Sequence, residues 1–223
     1  MSAPSPKLIL KIAAPDLPSE LPTPMLLEDL KNDRHVSEIA LSDWNQMGKS
    51  GSGITFDSLI LDRANLSSTT LRGLRIRDAR LLRPDLSNAN WSPSTLERVE
   101  ILDGRLTGLK ALEASFQDVS FVRCKADLAQ FRHASLRDCR FEDCILRDAD
   151  FYGAELRGVS FRGSDLKGAN FNGTKLAQAD FRGVRLDELF LQQADFKGMI
   201  IDAAQAMELS LVFAQALGLQ VID

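Results

Sequence analysis

Histidine and cysteine are scarce in this chain of 223 residues, and each scarcity excludes chemistry. The two histidines, His35 and His133, have no partner at motif spacing, so both read as solvated surface residues rather than metal ligands or bases. Neighbouring acids, Glu142 with Asp143 and Asp187 with Glu188, read as solvated corners with no pocket to shift their titration. The glycine-rich strings do not open a helix after a strand, so they are not phosphate loops. No catalytic, metal-binding or cofactor-binding residue is assigned, no cofactor is expected, and an enzyme is not expected. Long apolar runs are also missing: none approaches the roughly 18 residues of a membrane helix, and the start of the chain lacks a signal-type apolar core. Membrane association is therefore not expected, and the cytoplasm is the expected compartment. Proline is nearly absent beyond residue 24, since six of the eight lie before that point.

What is present is a period of five. In "FRGSDLKGANFNGTKLAQADF", residues 161 to 181, a large apolar residue recurs at Phe161, Leu166, Phe171, Leu176 and Phe181. Neither a helix nor a continuous strand can bury such a row, because their side chains repeat every 3.6 and 2 residues. A chain that runs extended for three residues and then turns a corner can. From Phe56 to Ile201 the frame holds for 30 consecutive units, and 28 of the central residues are Leu, Phe, Ile or Trp. The exceptions are Ala111 and Ala126. Two residues before each centre, 23 of 30 positions hold a small residue, so large and small side chains alternate on the inward face. Two residues after it, nine units carry Gly, as a positive-φ corner favours. Cys124, Cys139 and Cys144 all fall at the small inward position and are expected to be packed, reduced thiols.

On these residues, "ADFYGAELRGVSFRGSDLKGANF" above all, the chain resembles the pentapeptide-repeat family. The resemblance implies an all-β solenoid: a right-handed, quadrilateral β-helix. Phe at 121, 131, 141 and onward alternates with Leu at 136, 146, 156 and onward, which puts Phe on two opposite walls if four units make a turn. At about 4.8 Å per coil, the 30 units would give roughly 7.5 coils and a rod roughly 36 Å long.

The two ends depart from the frame. Residues 1–35 read as a Pro-rich N-terminal arm, and 36–53 as an irregular first coil or cap with Trp44 as a candidate lid. The β-helix is assigned to 54–203. At 204–223 a C-terminal helix and tail are expected to cap the rod and join two copies. Asp202 and Gln205 resemble a capping box and Gly218 a stop, giving an α-helix over 203–217, followed by a tail that could form a short strand. Met207, Leu209, Leu211, Val212, Phe213 and Leu217 are the candidate homodimer contacts.

Charge bounds the partners. Residues 54–203 hold 22 basic and 22 acidic side chains, so the net charge of −4 comes from the ends. Arg72, Arg75, Arg77, Arg80 and Arg83 form a basic cluster without interleaved aromatics, which argues against nucleic-acid binding. One outward row is apolar: Leu82, Leu102 and Val122 lie 20 residues apart and form a stripe, covered by the arm or open to a protein partner. Leu112 beside Ala111 reads as a local irregularity, and a bulge turning Leu128 inward is expected beside Ala126. The functional expectation is a non-enzymatic scaffold that binds a protein partner. Its alternative comes from the resemblance: Qnr-type and MfpA-type members imitate the acidic surface of DNA when they bind DNA gyrase.

Overall fold

The computed structural model describes residues 11–23, 30–191, 196–211, 214 and 218. Its strands stack as a parallel solenoid of four-sided coils. His35–Ser42, Thr55–Asp62, Leu74–Leu82, Ser94–Leu102 and Ser115–Val122 pair successively. The register advances by 20 residues at every step, as in Val36 to Phe56, Phe56 to Ile76, Ile76 to Leu96 and Leu96 to Phe116. Shorter strands and single bridges carry it onward to Asp180 paired with Ile200, which makes about eight coils. Each of the five long strands covers two walls, bending at a residue in the left-handed region: Glu38, Ser58, Asp78, Arg98 or Asp118.

The five-residue frame describes the core. All seven Phe rings from Phe121 to Phe181 are at most 1% exposed. Rings on one wall stack directly, Phe121 on Phe141 at 4.6 Å and Phe131 on Phe151 at 5.0 Å. Rings from the two opposite walls meet edge to face, as Phe131 and Phe141 do at 5.8 Å. The three cysteines are buried at the small inward slot, and burial pushes the Cys139 thiol up to about 12.

Corners do not require glycine. Among the described residues, twenty non-glycine residues have positive φ, every one two positions after a centre, so the conformation belongs to the coil. At some corners a glycine sits directly against the side chain of the neighbouring coil. A Cβ on Gly163 would lie 2.3 Å from Oδ1 of Asp143, and one on Gly168 would lie 2.2 Å from Oδ1 of Asp148. Glycine lets the carboxylate fold over its corner, whereas beneath Arg63 and Arg123 the carboxylates of Asp43 and Asp103 bond the arginine instead.

Four sequence expectations need correction. Residues 36–53 are a regular coil, paired with the next through His35–Ser42, Asn45 to Asn65 and Ser50–Ser52. The frame looked broken because Gln46 and Gly51 fill central slots. Gln46 is nonetheless buried and takes the Leu30 N–H on its Oε1 at 2.9 Å. Trp44 is no lid; it occupies an inward slot edge-on to Phe56 at 6.1 Å. No bulge forms at Ala126. Leu128 stays outside at a regular corner, 56% exposed with φ 58°. The frame is equally unbroken at Ala111 and Leu112. Between the two alanines in sequence, Phe116 meets Phe121 at 6.1 Å and Phe131 at 5.9 Å, and both alanines are buried.

The helix at the end spans Ala203–Glu208, with residues 210, 211 and 214 helical again after a turn at Leu209. The capping box is formed: Asp202 Oδ1 accepts from Gln205 N at 3.0 Å, and Gln205 Oε1 from Asp202 N at 2.8 Å. The rest of the expected 203–217 helix and the tail after Gly218 lie outside the described residues.

Candidate interaction surfaces

Outward side chains at one position in successive coils form rows parallel to the rod axis, and the spacing brings residues 20 apart into contact. Opposite charges use this throughout. Arg63 binds both oxygens of Asp43 at 2.7 and 2.6 Å, and Arg123 binds both of Asp103 at 2.7 and 2.9 Å. Arg77 reaches Asp57 at 2.8 Å, Arg80 reaches Glu100 at 2.7 Å and Arg83 reaches Asp62 at 2.5 Å. Three of the five arginines in the basic cluster are thereby ion-paired. The bonded guanidinium holds each of Asp43 and Asp103 below the usual carboxylate range. Near the far end, Arg140 pairs with Glu142 at 3.5 Å, and Arg185 lies 3.4 to 3.5 Å from Asp187 and Glu188.

The apolar row Leu82, Leu102 and Val122 lies on the wall beside the corner of Asp78 and Asp118. Val122 is buried; Leu82 and Leu102 are half-buried. The Pro-rich arm runs lengthwise here, perpendicular to the strands. Ala13 N donates to Asp118 Oδ1 at 3.0 Å, Asp16 N to Asp78 Oδ1 at 2.9 Å, and Ala40 N to the Pro22 carbonyl at 3.0 Å. Ile12, Pro15, Leu17 and Leu21 are the half-buried arm residues between 11 and 23. Asp78 is the anchor. Arg98 grips its two oxygens at 2.7 Å each, and that bond, foremost, lowers its pKa and raises that of Arg98. These carboxylates escaped the sequence reading because aspartate at a corner is common in this chain, and no local signal separates the two that receive the arm.

At the C-terminal end the plug is polar. Gln205 is buried, and its Nε2 donates to the carbonyls of Phe181 and Val184 at 2.7 Å each. Leu209 packs against the core, whereas Met207 is 74% and Leu211 56% exposed. Beside them a cavity of about 250 Å³ is lined by Leu186, Leu189, Leu191, Phe196, Met199 and Leu209. Val212, Phe213 and Leu217 lie outside the described residues.

His35 and His133 are exposed, the latter 5.6 Å from the Tyr152 ring, over which Arg132 sits at 5.2 Å. Among the described residues, no three His, Cys, Asp or Glu side chains are grouped to hold a metal ion. Nor, among them, is any helix long and apolar enough to cross a membrane.

Comparison with known proteins gives concordant matches. A model described as a pentapeptide repeat region matches residues 104–171, and one described as pentapeptide repeats (8 copies) matches residues 164–198. No curated protein matches the chain. Among solved structures, trypsin-treated QnrB1, a plasmid-mediated fluoroquinolone resistance protein, is 19% identical. That alignment covers 86% of this chain and 100% of the other with a TM-score of 0.47. HetL, a pentapeptide-repeat protein involved in heterocyst differentiation regulation in the cyanobacterium Nostoc, is 25% identical, covering 76% and 90% with a TM-score of 0.32. Rfr23 from the cyanobacterium Cyanothece is 16% identical, covering 77% and 90% with a TM-score of 0.20. Both repeat models thus match along an unbroken twenty-residue coil, and residues 104–198 carry pentapeptide repeats.

Proposed function

We propose that the chain is a non-enzymatic scaffold of the cytoplasm, a homodimer joined through its C-terminal helix, whose walls present fixed rows of side chains to a protein partner. The observation that carries this reading is the pairing of charge along the rod. Acids and bases neutralise one another between adjacent coils, as in Asp43 with Arg63 and Asp103 with Arg123. The walls therefore offer mixed-sign rows suited to protein recognition rather than a field of one sign. Exposed side chains at mid-rod, Leu128, Ile145 and Tyr152, add the apolar and aromatic contacts that protein interfaces use. For the homodimer, the supporting feature is Met207 and Leu211 on the side of the helix turned away from the rod.

A DNA-mimicking role at gyrase would need a sustained negative potential along one face, and pairing of this kind cancels such a field within a coil or two. The test is a supercoiling assay alongside affinity capture with the intact chain. The expected outcome is no gyrase inhibition, no protection from quinolones, and capture of protein resistant to nuclease. Potent, salt-sensitive inhibition would overturn the scaffold reading in favour of mimicry.

A further inference from the structure

The arm and its wall match in spacing. From Ala13 to Asp16 the arm advances three residues, while the carboxylates receiving those two amides, Asp118 and Asp78, lie 40 residues apart in sequence and thus two coils apart along the rod. Three residues of a polyproline-type strand rise about 9.3 Å. Two coil spacings amount to about 9.6 Å. A strand with three residues per turn therefore presents successive amides to Asp118 and Asp78, and the match ends near Ser19, since Pro22, six residues past Asp16, meets Ala40 only about two coils on. The half-buried arm residues Ile12, Pro15 and Leu21 fall on the same three-residue spacing, with Leu17 displaced near a bend at Ser19.

Before Ala13 the arm meets a charged cleft. Ile12 lies in a cleft of about 210 Å³ with Arg140, Glu142, Ser160, Arg162, Asp180 and Arg182. Arg182 is paired with Asp180 and Arg140 with Glu142. Arg162 makes no direct ion pair among the described residues, though its charge also acts on Asp180, and the exposed Lys11 precedes Ile12 in the chain.

We propose that this wall is a docking groove for an extended, proline-containing segment of a partner protein, occupied in cis by the chain's own arm until that segment displaces it. The favoured segment carries apolar residues three apart and an acidic residue just before the first of them, where it meets Arg162. The inference rests on the reading of the rod as a protein-binding scaffold and names the partner's chemistry.

The experiment uses a fluorescent peptide with the sequence of residues 11–23, and the same peptide with Lys11→Glu, titrated by anisotropy. The receptors are the full chain and a full-length chain whose arm is weakened by Ile12→Ser, Pro15→Gly and Leu17→Ser. A tethered arm competes at an effective concentration in the millimolar range. Saturable binding is expected at least about ten-fold tighter to the weakened chain than to the unaltered one. The Lys11→Glu peptide should bind about three-fold tighter or better, and Asp118→Ala in the wall should weaken binding by about three-fold or more. Leu102→Ser is a second wall variant should Asp118→Ala fail to fold, with circular dichroism as the check. Absence of saturable binding to the weakened chain, equal binding to both chains, or indifference to both wall variants overturns the groove. Energy transfer showing the arm seated on a second copy would replace cis occupancy by arm exchange and also overturn it. Partner capture through the other walls, read by the affinity experiment above, survives any of these results, so the two readings fail separately.

Discussion

Replacing Phe161 by Ala tests the five-residue frame at its most crowded point. The ring is fully buried, stacked on Phe141 at 5.3 Å, tilted by 38° against Phe181 at 4.9 Å, and edge-on to Phe151 at 5.6 Å and Phe171 at 5.5 Å. Neighbours on the same wall are fixed by the backbone ladder and cannot move in to fill the gap. A Phe-to-Ala change in such a site costs about 3–5 kcal/mol. With a urea dependence near 3 kcal/mol per molar for a chain of this size, the unfolding midpoint should fall by roughly 1–1.7 M. Phe161→Leu should fall between Ala and the unaltered chain, since Leu keeps most of the volume and already fills the adjacent walls. The control is Arg162→Ala, one residue along and pointing outward, which should move the midpoint by little. Circular dichroism is the readout, because Trp44 and Trp91 both sit in earlier coils and would report on a distant part of the rod. If Arg162→Ala shifted the midpoint as far as Phe161→Ala, the frame and the cavity reasoning would both be refuted.

Gln205→Ala should leave the carbonyls of Phe181 and Val184 unpaired at the C-terminal end, costing about 1–3 kcal/mol. A thermal midpoint that did not move would show that water replaces the amide there. Asp78 should control the arm through pH. Its folded pKa is lowered, first by Arg98, so the stability it contributes is present above its unfolded pKa of about 3.9 and is lost as pH falls through the lower folded value. The Asp16 amide resonance, whose N–H it accepts, should hold constant above about pH 5 and shift below about pH 4; invariance down to pH 2 would separate the arm from this carboxylate. Light scattering should find a dimer for the intact chain and a monomer for one ending at Ala203, and Met207→Asp with Leu211→Asp should mimic the truncation. An intact monomer would sink the homodimer.

The rod was legible because its core repeats: Phe121 through Phe181 and the small residues before them state the coil without reference to anything distant. Legibility failed where one position was filled against type. Gln46 and Gly51 hid the first coil, since a polar centre is readable only once its partner, the Leu30 amide, is known. The small Ala126 suggests an inward Leu128, although the buried alanine holds the central slot itself and Leu128 stays at the corner. The half-covered stripe Leu82, Leu102 and Val122 was visible as apolar. That the arm binds by its backbone to Asp78 and Asp118 was not, because main-chain recognition leaves no trace in side-chain spacing.

Both ends of the solenoid are closed by glutamine: Gln46 accepting an amide from Leu30, Gln205 donating to two carbonyls. A stack of identical coils is a template on which another stack could grow, since each terminal coil carries the same spacing and the same inward pattern as the coil beneath it. An amide spent on an incoming turn of chain removes that template at each tip. Repeats of this kind can then be added or lost in multiples of twenty residues without inviting filaments, provided each tip keeps its stopper.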